Sequence, residues 1–346
     1  MTVYEIDPTR DPRWDEFLET HPRASIFHTR GWLEALQRTY GYVPVAFTTS
    51  PPECHLANGI PFCGISSWVS GRRLVSLPFS DHCTPLVENP KQLAFLLAYL
   101  RERATLEKWS YIEIRPTDSV ETGSMGFGKD KTFYFHKLDL HPSLDETLQN
   151  FHKHCVQRKI QRAAREGLIY EEGRSDSLLT KFYHLFLMTR RRHGLPAQPV
   201  YWFQNLMTCL GGRVKIRVAS KHGQPIASIL TISYKQSLVY KYGCSDPRFN
   251  NLGGTQLLFW RAIQEAKQDS LHEFDMGRSE YDNRGLVAFK DRWGATRTEL
   301  TYFRYPIRHL HRVTKAGQIF ISKYVWSHAP TSILAAAGRA LYKHMG

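Results

Sequence analysis

The sequence has no CxxC pair; its six cysteines, Cys54, Cys63, Cys83, Cys155, Cys209 and Cys244, stand apart. Their scatter argues against zinc ribbons and redox dithiols, and makes reduced, mostly buried thiols the expectation. HExxH is missing, and His152 and His154 diverge on a helix, so the 16 histidines suggest no metal site. GxSxG, GxxxxGKS/T and GxGxxG are absent too. Hydrolase-elbow, P-loop and simple dinucleotide-binding readings fall with them. The longest uninterrupted apolar run, Leu93–Leu100, is far short of the ~20 residues of a membrane span. The start, MTVYEIDPTRDPRW, lacks the basic and apolar regions of a secretory signal, so a cytoplasmic protein is expected.

Negative charge is scarce as well. Asp and Glu number 32 against 46 Lys and Arg, a formal net charge of +14. That balance favours anionic partners such as nucleic acid, anionic lipid heads or a phosphate-bearing substrate, and it also fits a merely basic surface. After Glu299 no acidic residue follows, while Arg308, Arg312, Lys315 and Lys323 interleave with Phe320, Ile321, Tyr324 and Trp326. The tail reads either as a basic amphipathic helix on an anionic membrane surface at the inner face, or as a C-terminal helix packed on the body.

What is present is ordinary globular composition, 42% hydrophobic and 23% charged, with room for about two domains at roughly 150 residues each. Strand-like runs at 43–48, 59–69, 73–76, 111–115 and 132–140 alternate with helical spacing at 11–19, 30–40 and from Pro90 onward. The second half repeats the pattern. Helices are predicted at 144–151, 156–165, 177–193, 202–210 and 257–268, with strands at 214–220, 225–233, 237–244, 272–276 and 299–305. The expected class is therefore α/β (α+β), built as two related units with a boundary near 141–152.

Chemistry concentrates in four places. Phe274-Asp275-Met276-Gly277-Arg278-Ser279 ends a buried strand, and Asn283 to Lys290 is expected as a loop at its terminus, where α/β proteins build sites. Lys290 there either holds a phosphate or oxyanion, or is a surface lysine between core aromatics. Arg158, Arg162 and Arg165 share one helical face, suited to phosphate or simply solvated. Thr189 to His193 closes the long helix with a basic turn, which the helix dipole alone would favour. Strand alternation puts Tyr240 and Tyr242 on one face, as core tyrosines or as a site.

The run FDMGRSEYDNRGLVAFKDRWGA resembles the C-terminal signature of the FemAB-like acyltransferases, notably their exosortase-associated branch. IFHTRGW, LVSLPFSDHCTPL, QRKIQRAAREGL and FYHLFLMTRRRHGLPAQPVYWF precede it in the order that family shows. The resemblance covers about residues 25–305 and implies two tandem GNAT-like domains, 1–145 and 146–306, each with a mixed, mostly antiparallel sheet, followed by a basic helical tail at 307–346. It implies transfer of an acyl or aminoacyl group to an amine of a cell-envelope or polysaccharide-related acceptor. The donor would be acyl-CoA or aminoacyl-tRNA as co-substrate, with no permanently bound cofactor, and the acceptor an anionic small molecule or glycan precursor. Phe289 and Lys290 match the family's donor positions, Thr189 and Arg191 its acceptor-diphosphate positions, and Tyr242 its sheet tyrosine. The lysine that follows the N-terminal Trp in muropeptide-using relatives is missing; Leu36 and Gln37 stand there.

Acyl transfer to an amine needs a polarised carbonyl, a stabilised oxyanion and a base. Lys290 is assigned the oxyanion, Asp275 or His28 the base, and Arg191 with Arg158 the acceptor's charge. Arg278 and Ser279 extend the binding surface. Gly253 and Gly254, ahead of a helix, are expected to offer backbone N–H groups to a donor phosphate. The rival readings are a GNAT N-acetyltransferase acting on a small amine or amino-sugar, and a non-catalytic binder of anionic glycans or membrane surface.

Overall fold

The computed structural model describes residues 2–68, 71–118, 126–306 and 330–344. The chain forms two compact units. It passes from the first into the second within one strand and back within another.

The first unit comprises Met1–Thr132, Leu300–Phe320 and Arg339–Gly346. Its strands are β1 (Tyr4–Ile6), β2 (Val43–Thr48), β3 (Ile60–Ser67), β4 (Gly71–Val75), β5 (Tyr111–Ile114) and, from late in the chain, β12 (Thr296–Tyr305), in that spatial order. All neighbours are antiparallel except β4 and β5. Helices α1 (Pro12–Thr20), α2 (Arg30–Tyr40) and α3 (Pro90–Leu106) complete it. Asn89 caps α3 and Pro90 opens it. As its spacing predicts, α3 buries Leu93, Leu96, Leu97 and Leu100, here against Phe62, Leu74, Ile112 and Phe303. Past the ends of β4 and β5 the loop 76–84 folds back, with Leu77 and Phe79 at positive φ. Arg115 donates to Leu77 O and Ser80 O and pairs with Glu113, which also takes Arg304. Burial alone would raise the Glu113 carboxyl; the two guanidiniums outweigh it and bring the pKa down to about 2. The chain's final described residues dock on this unit: Tyr42 donates to Tyr342 O at 2.6 Å and Arg73 to His344 O at 2.7 Å.

The second unit comprises Phe133–Glu299 and Ile321–Gly338. Its strands run in the order β6 (Gly128–Asp139), β11 (Glu273–Ser279), β10 (Ser237–Ser245), β9 (Gln224–Tyr234), β8 (Val214–Lys221), β7 (Ile169–Gly173). Again one pair, β10 with β11, is parallel and the rest antiparallel. The helices are α4 (Leu144–Asn150), α5 (Arg158–Arg165), α6 (Asp176–Arg192), α7 (Val200–Leu210), α8 (Gly254–Gln268), α9 (Arg284–Asp291) and α10 (Thr331–Tyr342), whose last residues belong to the first unit. A core joins Phe259 and Ile263 of α8, Leu138 of β6, Phe274 and Met276 of β11, and Trp293. Gly338 of α10 lies so close to Ala197 that a Cβ would come within 1.6 Å of its carbonyl oxygen.

Each unit thus has the mixed, mostly antiparallel sheet expected of it. The cut falls at 132/133 rather than near 145, and the end of β12 joins the first unit because it pairs with β5. Of the tail, α10 is described and packed; 307–329, where the membrane-surface reading rested, lies outside the described residues. Among the described residues no helix is long and apolar enough to cross a membrane.

Candidate active site

The parallel pair in the second unit holds together for three rungs only: Ser237, Leu238 and Val239 against Glu273, Phe274 and Asp275. Beyond them β10 stays with β9 to Ser245, through a bulge between Tyr240 and Tyr242. That bulge corrects the simple alternation expected there. Tyr240 packs on Phe259 of α8, whereas Tyr242 packs on Phe203 and Phe186 and accepts a bond from Trp202 Nε1 at 2.8 Å. Thr189 of α6 fastens the far end of β10: Ser245 N donates to its Oγ1 at 3.2 Å.

A pocket of about 450 Å³ lies along this freed part of β10. Thr189, Arg192 and His193 of α6 line it, with Lys159 of α5, Phe289 of α9 and Arg292. Its described lining holds the basic side chains Lys159, Arg192 and Arg292, and no carboxylate. Thr255 and Gln256, in the first turn of α8, complete the wall. First-turn N–H groups have no partner within their helix and carry the positive end of its dipole. Gly253 and Gly254 seat this helix. Gly253 has φ +84° and a Cβ there would stand 2.2 Å from Lys159 O; one on Gly254 would meet Ala227 at 3.2 Å.

The signature after β11 folds differently from the expected loop. Asn283 caps α9, a helix that turns Gly285, Phe289 and Arg292 to the pocket at i, i+4 and i+7. Lys290 does not line the pocket. It is buried, and its Nζ donates to Gly277 O at 2.8 Å and Arg278 O at 2.9 Å. Asp275, also buried, accepts from Gly277 N at 2.7 Å. Together they hold the irregular rung of β11, where two residues, Met276 and Gly277, stand opposite His136 of β6. Arg278 lies over the Phe133 ring at 4.2 Å. Ser279 is buried, and its hydroxyl has no hydrogen-bond partner among the described residues.

The structure therefore gathers Thr189, Phe289 and the α8 entrance at the pocket, and Lys290, Asp275, Arg278 and Ser279 around the end of β11. Other predicted residues stand apart. Arg191 is exposed and off the pocket, whereas its neighbour Arg192 lines it. Arg158 is exposed, with Nη1 2.8 Å from His154 Nδ1. His28, in the first unit, caps a turn: Ser25 N donates to its Nδ1 at 3.0 Å and its Nε2–H to Thr84 O at 2.9 Å. Burial holds its pKa down at about 4. Among the described residues no three His, Cys, Asp or Glu side chains are grouped to hold a metal. The sequence reading holds Arg192 only as part of the basic turn 189–193, gives no role to Lys159 or Arg292, and passes over His136. Helical period could have found Arg192, one turn on from Thr189.

No curated protein matches this chain in sequence. Residues 151–291 match the family model of the acetyltransferase (GNAT) domain. This stretch is a GNAT domain. The chain carries it within a tandem GNAT fold. The solved structure of FemX is 16% identical, with 88% of this chain and 97% of FemX covered and a TM-score of 0.70. A tandem GNAT protein from the clavulanic acid biosynthesis pathway is 10% identical over 88% of this chain and 97% of its own, with a TM-score of 0.55. The C-terminal domain of a putative lysylphosphatidylglycerol synthetase from Agrobacterium fabrum is 14% identical over 84% and 90%, at 0.54.

Proposed function

We propose that this protein transfers an acyl or aminoacyl group from a phosphate-bearing donor to an amine on a cell-envelope acceptor. The observation that carries this reading is the pocket beside the diverging strands of the GNAT domain, lined by Lys159, Arg192 and Arg292 with no carboxylate, next to the first turn of α8. Guanidinium and ammonium groups with a helix N-terminus form a receptor for phosphate. Phe289 gives the pocket an apolar wall, so a donor can be held by charge at one end and packed at the other. With donor and acceptor aligned, positioning supplies much of the rate. An aminoacyl donor is favoured by the likeness to FemX and to a putative lysylphosphatidylglycerol synthetase; an acyl-CoA donor by the tandem GNAT fold.

The test is incubation of the full chain with labelled acetyl-CoA or charged tRNA, each with a panel of primary amines and amino-sugars, read by transfer of label. Label should move from one donor class. Arg192→Ala should raise that donor's KM by about tenfold, the worth of roughly one charge-assisted hydrogen bond, with kcat little changed. Binding of both donors without any transfer would replace the enzyme with a binding protein.

A further inference from the structure

Transfer to an amine releases a proton, and the bases expected from sequence, Asp275 and His28, are both already engaged with backbone groups. Asp275 serves the Gly277 amide, and both ring nitrogens of His28 serve backbone groups. His136 is different. Its side chain is fully buried, its Nε2 lies 3.1 Å from Asp291 Oδ1, and its Nδ1 has no hydrogen-bond partner among the described residues. A carboxylate only accepts, so Asp291 fixes the proton on Nε2 and leaves a bare lone pair on Nδ1. Pairing of Ser279 with Tyr134 puts the Ser279 hydroxyl on the sheet face that also carries His136 two residues on. Leu138, Phe274 and Met276 share that face with α8, and Phe289 of the pocket wall packs on the same core. Ser279 and His136, whose hydroxyl and Nδ1 are among the buried polar atoms without a partner, are thus diagonal neighbours, about 7 Å apart along the backbone.

We propose that Ser279 and His136 form the proton path of the transfer, with Asp291 as the residue that orients the ring; this rests on the function proposed above. As the amine nitrogen forms its bond to the acyl carbon, its proton passes to Ser279 Oγ while the hydroxyl proton passes to His136 Nδ1. The imidazolium is then paired with Asp291. When the bond from the acyl carbon to the donor's sulfur or oxygen breaks, the proton returns along the same path to that leaving atom. The charged groups facing the ring are Asp291 and Lys290 from α9 and Arg297 from β12, while β11 places Met276 and Gly277 opposite it. Burial, and next the charge of Lys290, hold the imidazole below its usual pKa, so it is neutral and able to accept near pH 7.

His136→Gln keeps an N–H for Asp291 and removes the base. The full chain carrying it should lose about 100-fold or more in kcat, keep its donor KM within about twofold, and lose the acidic limb of the wild-type pH profile. Ser279→Ala should lower kcat too, and the double variant should be no worse than His136→Gln alone. A retained acidic limb, or additive losses, would overturn the path. Nitrogen NMR of the wild-type ring gives a readout without turnover: Nε2–H with bare Nδ1 at pH 7 is expected, and an Nδ1–H tautomer overturns the proposal. Absence of transfer by the wild-type chain would instead strike the function proposed above, and leave the ring to be judged by its tautomer.

Discussion

His28 couples the first unit to pH. In the folded chain it takes a proton only at about pH 4, against about 6.5 once unfolded. Between those values the unfolded chain binds the extra proton, so stability is full above pH 6.5 and falls as the pH drops toward 4. The loss should approach about 3 kcal/mol, and His28→Gln should flatten the wild-type slope across that window in urea titrations at stepped pH. An unchanged slope would show that the folded chain protonates this ring as readily as the unfolded one. Lys290 shows how far one residue can be read ahead. Its sequence setting, between Phe289 and Trp293, left a solvated lysine or a charge at the reaction as the choices. In this structure its ammonium is buried and donates to two carbonyls of an irregular strand end, which rules out the solvated lysine. No sequence pattern announces a strand irregularity of that kind. His136 was hidden for a related reason: its partner Asp291 is 155 residues away.

At the level of elements, the seat of α8 decides whether its first turn can face the pocket. Gly253→Ala would put a side chain at φ +84° and against the Lys159 carbonyl. It should cost about 1–3 kcal/mol and shift the helix start, weakening acetyl-CoA or tRNA binding in a direct titration. Intact binding by a folded variant would remove this helix from the site. Most helices and strands were legible because their apolar spacing and caps agree, as in Asn89-Pro90 before α3. Two were not. The edge strand β7, Ile-Tyr-Glu-Glu-Gly, carries charge where an apolar alternation would be sought, a composition that suits an unpaired edge. The helix α9 has eight residues with Gly285 in its first turn, and so resembled a loop.

Across the whole molecule, both units carry the same sequence of antiparallel strands and a single parallel step, which the alternation of patterns in the two halves anticipated. They differ at the end of that step. In the first, the loop 76–84 and Arg115 fill the place; in the second, a pocket lies there. One equivalent of donor per chain is therefore expected in calorimetric titration, and two would place a second site in the first unit. The division of the chain has a consequence for synthesis. The nascent polypeptide leaves the ribosome from its N-terminus, yet the strand that covers the open edge of β5, and Phe303 that fills the core beneath α3, arrive only after residues 133–299 of the second unit have emerged. The half that is made first must wait, with an exposed sheet margin, for the half that is made last.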